Sequence, residues 1–285
     1  MGLVSDVFDN NLLDILNGNV GIGHVRYSTT GDSSHENCSP FVEHKENIII
    51  SIGHNGDIVN STSLRKELLE SNHEFKSTTD SEVICHLIID EYNKSGDVVL
   101  AIQKTCSKLI GSYSLVILIN GVLYAVRDPL GMKPLALGRS DEFLVIASET
   151  VAFDSLDIPY IRSIEPGEIL EIDNGKETSY FLPKEEHTAN CMFEYLYFAR
   201  PDSDIEGRNV HAFRKETGRL LYKEFPTEAD MVIGVPDSSL SAAIGYAEES
   251  GIPYEMGLIK NKYVGRTFIV PSQSAREKGV RMKLS

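Results

Sequence analysis

The stretch IIISIGHNGDIVN, Ile48 to Asn60, decides how this chain is read. An apolar run meets Asn55-Gly56, and a second apolar pair, Ile58 and Val59, follows at once. Asn-Gly between apolar runs predicts a tight hairpin, because both residues tolerate the positive φ of a type I′ turn. The same pair offers a second use. A side-chain amide beside a glycine N–H can hold a developing oxyanion, since fixed donors stabilise charge as it appears.

Outward from this stretch, Val20 to about Tyr180 is strand-rich, with runs such as SYSLVILING, VLYAVRD, LVIASE and GEILEID punctuated by Gly, Asn and Asp. Helical patterns interrupt the strands. STSLRKELLES starts at Ser61 or Ser63 and sets Leu64, Leu68 and Leu69 on one face, and DSEVICHLIIDEYNKSG is followed by DVVLAIQKTCSKLIG. Hairpin-linked strands with helices between them predict an α+β domain on antiparallel sheets. The alternation stops around FLPKEEHTANC, Phe181 to Cys191, which divides the chain into 1–185 and 186–285. Beyond it, DMVIGV, the helix LSAAIGYAEESG closed by Gly251, and YEMGLI predict one βαβ unit of a parallel sheet. A parallel sheet needs several strands covered on both faces. After Ile259 the chain is polar and basic, so this second domain reads as truncated.

The 285 residues are 41% hydrophobic and 24% charged, the composition of an ordinary soluble globular protein. A net charge of -15 disfavours nucleic acid and anionic lipid as partners. Four widely spaced cysteines form no CxxC pair, which fits a reducing cytoplasm. The N-terminus lacks a basic n-region, and no apolar run reaches the ~18 residues of a membrane span.

Four segments are polar or Gly-rich where folding alone does not require it. In GIGHVRYSTTGDSS, Arg26 follows an apolar strand and offers a planar fork of donors suited to a carboxylate; an exposed strand-end arginine is the bland alternative. Asn55-Gly56 is the second. In STTDSEV, Thr79 and Glu82 predict a T-x-x-E capping box with Asp80 just inside it, which accounts for the segment without a ligand. In VIGVPDSS, a strand, a turn and a helix start make an anion site to which Ser238 and Ser239 add hydroxyls. Lys260, Lys262 and Arg266 then reverse the local charge, which favours a phosphorylated small molecule. No segment offers a nucleophile: there is no G-x-S-x-G elbow, and each cysteine reads as filler or loop.

The order GHVRYSTTG, GHNGDIVN, TTDSEV, VRDPLGMKPL, EYLYFARPDS, VPDSS and KNKYVGRTFI resembles the glutamine amidophosphoribosyltransferases almost from end to end. GHxRY and HNG are shared with other amidotransferases; ARPDS and KNKYVGRTF are more restrictive. The resemblance implies an αββα N-terminal-nucleophile hydrolase sandwich followed by a truncated α/β type I phosphoribosyltransferase domain. It implies that glutamine supplies ammonia, which displaces pyrophosphate from phosphoribosyl pyrophosphate to give phosphoribosylamine, the first committed step of de novo purine synthesis. Carried onto this chain, Arg26 and Thr29 hold the glutamine α-carboxylate, the loop to about Asn37 is a lid, and Asp80 pairs with the α-ammonium. Asn55 and Gly56 form the oxyanion hole on their hairpin turn. Lys260 begins a flap over phosphoribosyl pyrophosphate, Ser239 is a magnesium position, and Cys191 matches a 4Fe-4S ligand of one branch. Purine nucleotides as feedback inhibitors and a homo-oligomer follow from the same resemblance.

The family's nucleophile, an N-terminal cysteine acting with its own amino group, has no counterpart at Met1-Gly2, and the family's acidic ribose-phosphate loop is absent. The expectation is an inactive fragment. A glutamine- or nucleotide-binding pseudoenzyme module is the alternative.

Overall fold

The computed structural model describes residues 4–25, 35–45, 48–261, 277 and 281–285. The chain divides into two compact units: Met1–Ser148 with Leu156–Asn190, and Glu149–Ser155 with Cys191–Ser285.

In the first unit, helices α1 (Val4–Val7) and α2 (Asn10–Ile15) and a 3₁₀ turn at His35–Asn37 precede the sheet strands. The main sheet uses β1 (Phe41–Lys45), β2 (Ile48–Ile58), β3 (Gly111–Ile119), β4 (Val122–Arg127), β8 (Glu168–Asp173) and β9 (Lys176–Phe181), antiparallel and in that spatial order. Helices α3 (Ser61–Glu70), α4 (Asp80–Ser95) and α5 (Val98–Cys106) lie between β2 and β3 in sequence. Alternation along the strands then sorts the two faces. Ile48, Ile50, Ile52 and Ile58 of β2 join Leu115 and Ile117 of β3, Leu64 and Leu68 of α3, and Val83, Ile84 and Ile88 of α4 in one buried core. The opposite face gives Ala125, Leu170 and Ile172 to a second core with Leu137, Leu144 and Ile146. The last three belong to a separate three-stranded sheet, β5 (Ala136–Arg139), β6 (Leu144–Ala147) and β7 (Tyr160–Ser163), in the order β6-β5-β7. A helical layer and two stacked sheets are thus in place. Leu69, expected on the buried face of α3, is 52% exposed.

The hairpin expected at Asn55-Gly56 does not form. β2 runs unbroken through both residues and pairs Asn55 with Ser114 and Gly56 with Tyr113. The Asn-Gly rule does hold at Asn120-Gly121, between β3 and β4, and at Asn174-Gly175, between β8 and β9, where all four residues have positive φ. Those pairs are flanked by two strands of useful length. Only Asp57, Ile58 and Val59 separate Gly56 from Asn60, the N-cap of α3, too few for a returning strand. Pairing with the long β3 therefore overrides turn propensity. Gly56 still needs to be glycine: at φ +156° an added Cβ would lie 2.0 Å from Ser112 O.

The VRDPLGMKPL segment closes on itself. Fully buried Arg127 donates to the carbonyls of Lys133, Ile164 and Gly131 at 2.7–2.9 Å, and Asp128 accepts from the N–H groups of Leu130 and Met132. An arginine shared among three carbonyls fixes the bend.

In the second unit, α6 (Val151–Leu156) begins in Glu149–Ser155, and a short π-helical turn at Glu194–Phe198 is followed by the small hairpin β10 (Asp204–Ile205) and β11 (Arg208–Asn209). α7 (Val210–Glu224) then packs on α8 (Leu240–Ser250). The contact is backbone to backbone. A Cβ on Gly218 would meet Ala242 O at 1.9 Å, and one on Gly245 would meet Lys215 O at 1.8 Å. Gly251 ends α8 in the left-handed conformation, as the sequence predicts. The two strands expected around α8 contract to a single parallel bridge between Val232 and Tyr254. Among the described residues no other strand pairs with either segment, and one bridge is all that two isolated segments sustain.

Candidate active site

β1 covers β2 only along Ile48–Ile52. Beyond Ile52, the edge of β2 away from β3 is open to any strand among the described residues, and the N-terminus of α4 fills part of it. Asp80, the first residue of α4, accepts the Ile58 N–H through Oδ2 at 3.1 Å, and its Oδ1 lies 3.5 Å from His54 Nδ1. In an extended strand alternate N–H groups point the same way. The Gly56 N–H therefore faces the same edge as that of Ile58.

Asn55 occupies the other face of the sheet. It forms a row with Ser114 and Arg127, directly opposite one another on β2, β3 and β4. Ser114 and Arg127 both donate to Lys133 O, at 3.0 and 2.8 Å. The half-buried Asn55 side chain makes no hydrogen bond among the described residues, so its amide stays available. On the same face, a Cβ built on Gly53 would meet Val116 Cγ2 at 2.9 Å and His24 Nδ1 at 3.7 Å. His24 thus lies against β2 at Gly53, one alternate position before Asn55. Arg26 and Thr29 lie outside the described residues.

The carboxylates here are held ionised. Burial pushes Asp80 up, but the hydrogen bond and charge of His54 and the Ile58 N–H outweigh it and leave Asp80 below the usual carboxylate range. Glu82, with no exposed surface, accepts from Lys76 N at 2.6 Å, Ser77 N at 2.8 Å and Ser77 Oγ at 2.6 Å. Burial raises its pKa, but His86 and these donors bring it down from 4.5 to about 2. The expected capping box is therefore not made. Thr79 is the N-cap without a side-chain bond, and Glu82 reaches past it to the bend before the helix. A three-residue bend offering two N–H groups and a hydroxyl outcompetes one N-cap N–H.

A cavity of about 170 Å³ opens nearby, between Gly21–Gly23 and Val116, Leu123 and Leu144–Ile146. It touches none of Asn55, Gly56 or Asp80 and is separate from this site.

In the second unit the loop of VPDSS meets the start of KNKYV. Lys260 Nζ pairs with the Asp237 carboxylate, and Ser239, the N-cap of α8, donates its hydroxyl to Val235 O at 2.5 Å. Lys262 and Arg266 fall outside the described residues. Cys191 lies in this unit, whereas Cys85 and Cys106 are buried in the core of the first. Among the described residues no three His, Cys, Asp or Glu side chains converge to hold a metal. Four thiolates for an iron–sulfur cluster are not assembled by these residues.

Residues 24–155 match the family model of a glutamine amidotransferase domain. Over the whole chain the sequence is 55% identical to the amidophosphoribosyltransferase of Methanothermobacter thermautotrophicus and 51% identical to that of Methanocaldococcus jannaschii, covering 60% and 64% of those proteins. The chain is homologous throughout to the amidophosphoribosyltransferases. It spans about 60% of the length of the curated relatives it matches. A solved structure described as the allosteric regulatory enzyme of purine biosynthesis superposes with a TM-score of 0.89 at 46% identity, covering all of this chain and 61% of that one. The glutamine phosphoribosylpyrophosphate amidotransferase of Bacillus subtilis, complexed with ADP and GMP, superposes at 0.81, covering 92% of this chain and 56% of that one. The N-terminal-nucleophile hydrolase fold of amidophosphoribosyltransferases accounts for the helical layer and stacked antiparallel sheets of the first unit.

Sequence reasoning placed Asn55, Gly56 and Asp80, and the structure brings them to one strand and one helix end. It missed His54 and Asp237, and it named Asn37 only as the end of a loop, not for its hold on Thr78. His54 stands inside the quoted GHNG, two positions before Gly56, so strand alternation, once β2 is seen to continue, would have found it.

Proposed function

We propose that the first unit is a glutamine site and that the chain is the glutaminase part, with the beginning of the phosphoribosyltransferase part, of an amidophosphoribosyltransferase of purine biosynthesis. The division is 1–185 and 186–285. The reading rests on one observation above all: the Gly56 N–H and the Asp80 carboxylate share the open edge of β2, and Asn55, the next residue along the strand, has an amide unengaged among the described residues. Asp80 would neutralise the α-ammonium of glutamine, and Asn55 and Gly56 would donate to the oxyanion formed when its side-chain amide is attacked. Arg26 and Thr29 would hold the α-carboxylate, consistent with His24 lying against Gly53 just before them.

Turnover needs an attacking group, and the described residues supply none at this site. Cys85 is pushed up by burial, and Cys106 is pushed up to about 12 by burial, so neither is a thiolate at neutral pH. The chain on its own is thus proposed to bind glutamine without hydrolysing it. A binding module without chemistry is favoured by the same observation.

In the second unit, Lys260 would meet the phosphates of phosphoribosyl pyrophosphate, and Ser239 with Asp237 offers the oxygen ligands magnesium takes. Bound magnesium would neutralise the departing pyrophosphate. Purine-nucleotide feedback, homo-oligomeric assembly and a cytoplasmic location belong to the same proposal. No helix among the described residues is long and apolar enough to cross a membrane.

Calorimetric titration with L-glutamine tests this reading. Saturable binding that Asp80→Ala removes is expected; no heat with the unaltered chain, or binding indifferent to Asp80, rejects it.

A further inference from the structure

Asp80 is only as well placed as the bend that leads into it. Residues 76–79 form no strand or helix, yet three side chains grip their backbone. Arg65 of α3 donates to Ser77 O at 2.9 Å and Thr79 O at 2.6 Å, its guanidinium 4.1 Å from the Phe75 ring centre. Glu82 holds the Lys76 and Ser77 N–H groups from the helix side. Asn37, 3% exposed, takes the remaining residue: its Oδ1 accepts the Thr78 N–H at 2.9 Å and its Nδ2 donates to Thr78 Oγ1 at 3.0 Å.

Arg65 and Glu82 flank the bend in sequence. Asn37 does not: it is 41 residues from Thr78. It holds the bend from outside, two residues before Asp80. An Asn side chain matched to one residue's N–H and hydroxyl together is a two-point lock, and burial excludes competing water.

We propose that Asn37 is a positioning residue for glutamine recognition, a buried latch that fixes the Ser77–Asp80 bend through Thr78 and so sets the Asp80 carboxylate on the open edge of β2. The proposal rests on the glutamine reading of the site. It assigns Asn37 no contact with the ligand. Its effect passes only to the ammonium end, because Asp80 is the group the bend carries.

The test compares L-glutamine with 4-carbamoylbutanoate, the same molecule without its α-amino group, by titration calorimetry on the full chain. Asn37→Ala should weaken L-glutamine about tenfold and leave the deaminated analogue within twofold, while Thr78→Val, which removes only the hydroxyl, gives a smaller loss with the same selectivity. In the same ligand-free variants, hydrogen exchange should show the Thr78 amide opening at least about tenfold faster in Asn37→Ala. Equal weakening of both ligands, or an unchanged Thr78 amide, overturns the latch; Thr78→Val decides the selectivity if Asn37→Ala does not fold. An unaltered chain that binds no glutamine overturns the reading of the site itself, with Thr78 exchange still separating that failure from a failure of the latch.

Discussion

His54 Nδ1 stands 3.5 Å from Asp80 Oδ1, so an imidazole from the sheet and a carboxylate from a helix N-terminus meet at the end of β2. The positive end of the α4 backbone and the Ile58 N–H act on the same carboxylate. Asp80 is thus an anion with fixed neighbours and with part of its side chain, 23%, still facing solvent.

For Asp80 the folded-state pKa is depressed, so its stabilising contribution is present above the ordinary carboxylate value and is lost as pH falls through the lower folded value. Urea denaturation of the parent and Asp80→Asn at several pH values checks this. The two stabilities should differ at pH 7 and converge under acid; a difference independent of pH contradicts it.

Glu82 makes a sharper case. Its fall from 4.5 to about 2 corresponds to about 3 kcal/mol of stability at neutral pH, present above 4.5 and lost as pH drops toward 2. Glu82→Gln keeps the shape but cannot accept from three donors as a carboxylate does, and should lower the urea midpoint markedly at pH 7 and progressively less as pH falls from 4.5 toward 2.

Neighbours on one strand should behave oppositely. In a turnover-competent protein that includes this chain, Asn55→Ala should lower glutamine-dependent kcat by roughly a hundred- to a thousand-fold and leave the melting temperature nearly unchanged, because its side chain has no hydrogen bond to lose among the described residues. Gly56→Ala should instead destabilise by about 3 kcal/mol or more, because the new Cβ meets the Ser112 carbonyl at 2.0 Å. Paired thermal denaturation and steady-state assays separate the two.

Lys260 and Asp237 form an ion pair in which the aspartate is 64% exposed. Such a pair contributes about 1 kcal/mol or less. Lys260→Ala should therefore scarcely move the melting temperature while reducing affinity for phosphoribosyl pyrophosphate in a salt-dependent manner, measured by titration at two ionic strengths.

Much of this was readable in the residues. The runs that became β2, β3, β4, β6 and β8 and helices α3 to α5 were legible as apolar stretches bounded by Gly, Asn and Asp, whereas β5, β7 and β9 were too short or too polar to stand out. Asn120-Gly121 and Asn174-Gly175 obeyed the turn rule that Asn55-Gly56 broke, and the difference lay in the length of chain that followed each pair. Glu82 was visible as a capping residue, but its choice of Lys76 and Ser77 depended on a bend whose path no local pattern encodes. Asn37 with Thr78 is a contact across 41 residues and leaves no periodic trace. The strands around α8 failed for the converse reason: a local signal for β structure needs neighbours, and among the described residues Val232 and Tyr254 have only each other.

β2 gives its even-numbered side chains to the helical core and shows Asn55 on the reverse. Inserting or deleting one residue between Ile52 and Asn55 would exchange the two sets, sending an amide toward isoleucines and a hydrocarbon to the face that carries Ser114 and Arg127. Folding and recognition here share a single reading frame of the strand. A change of length within that frame costs both at once.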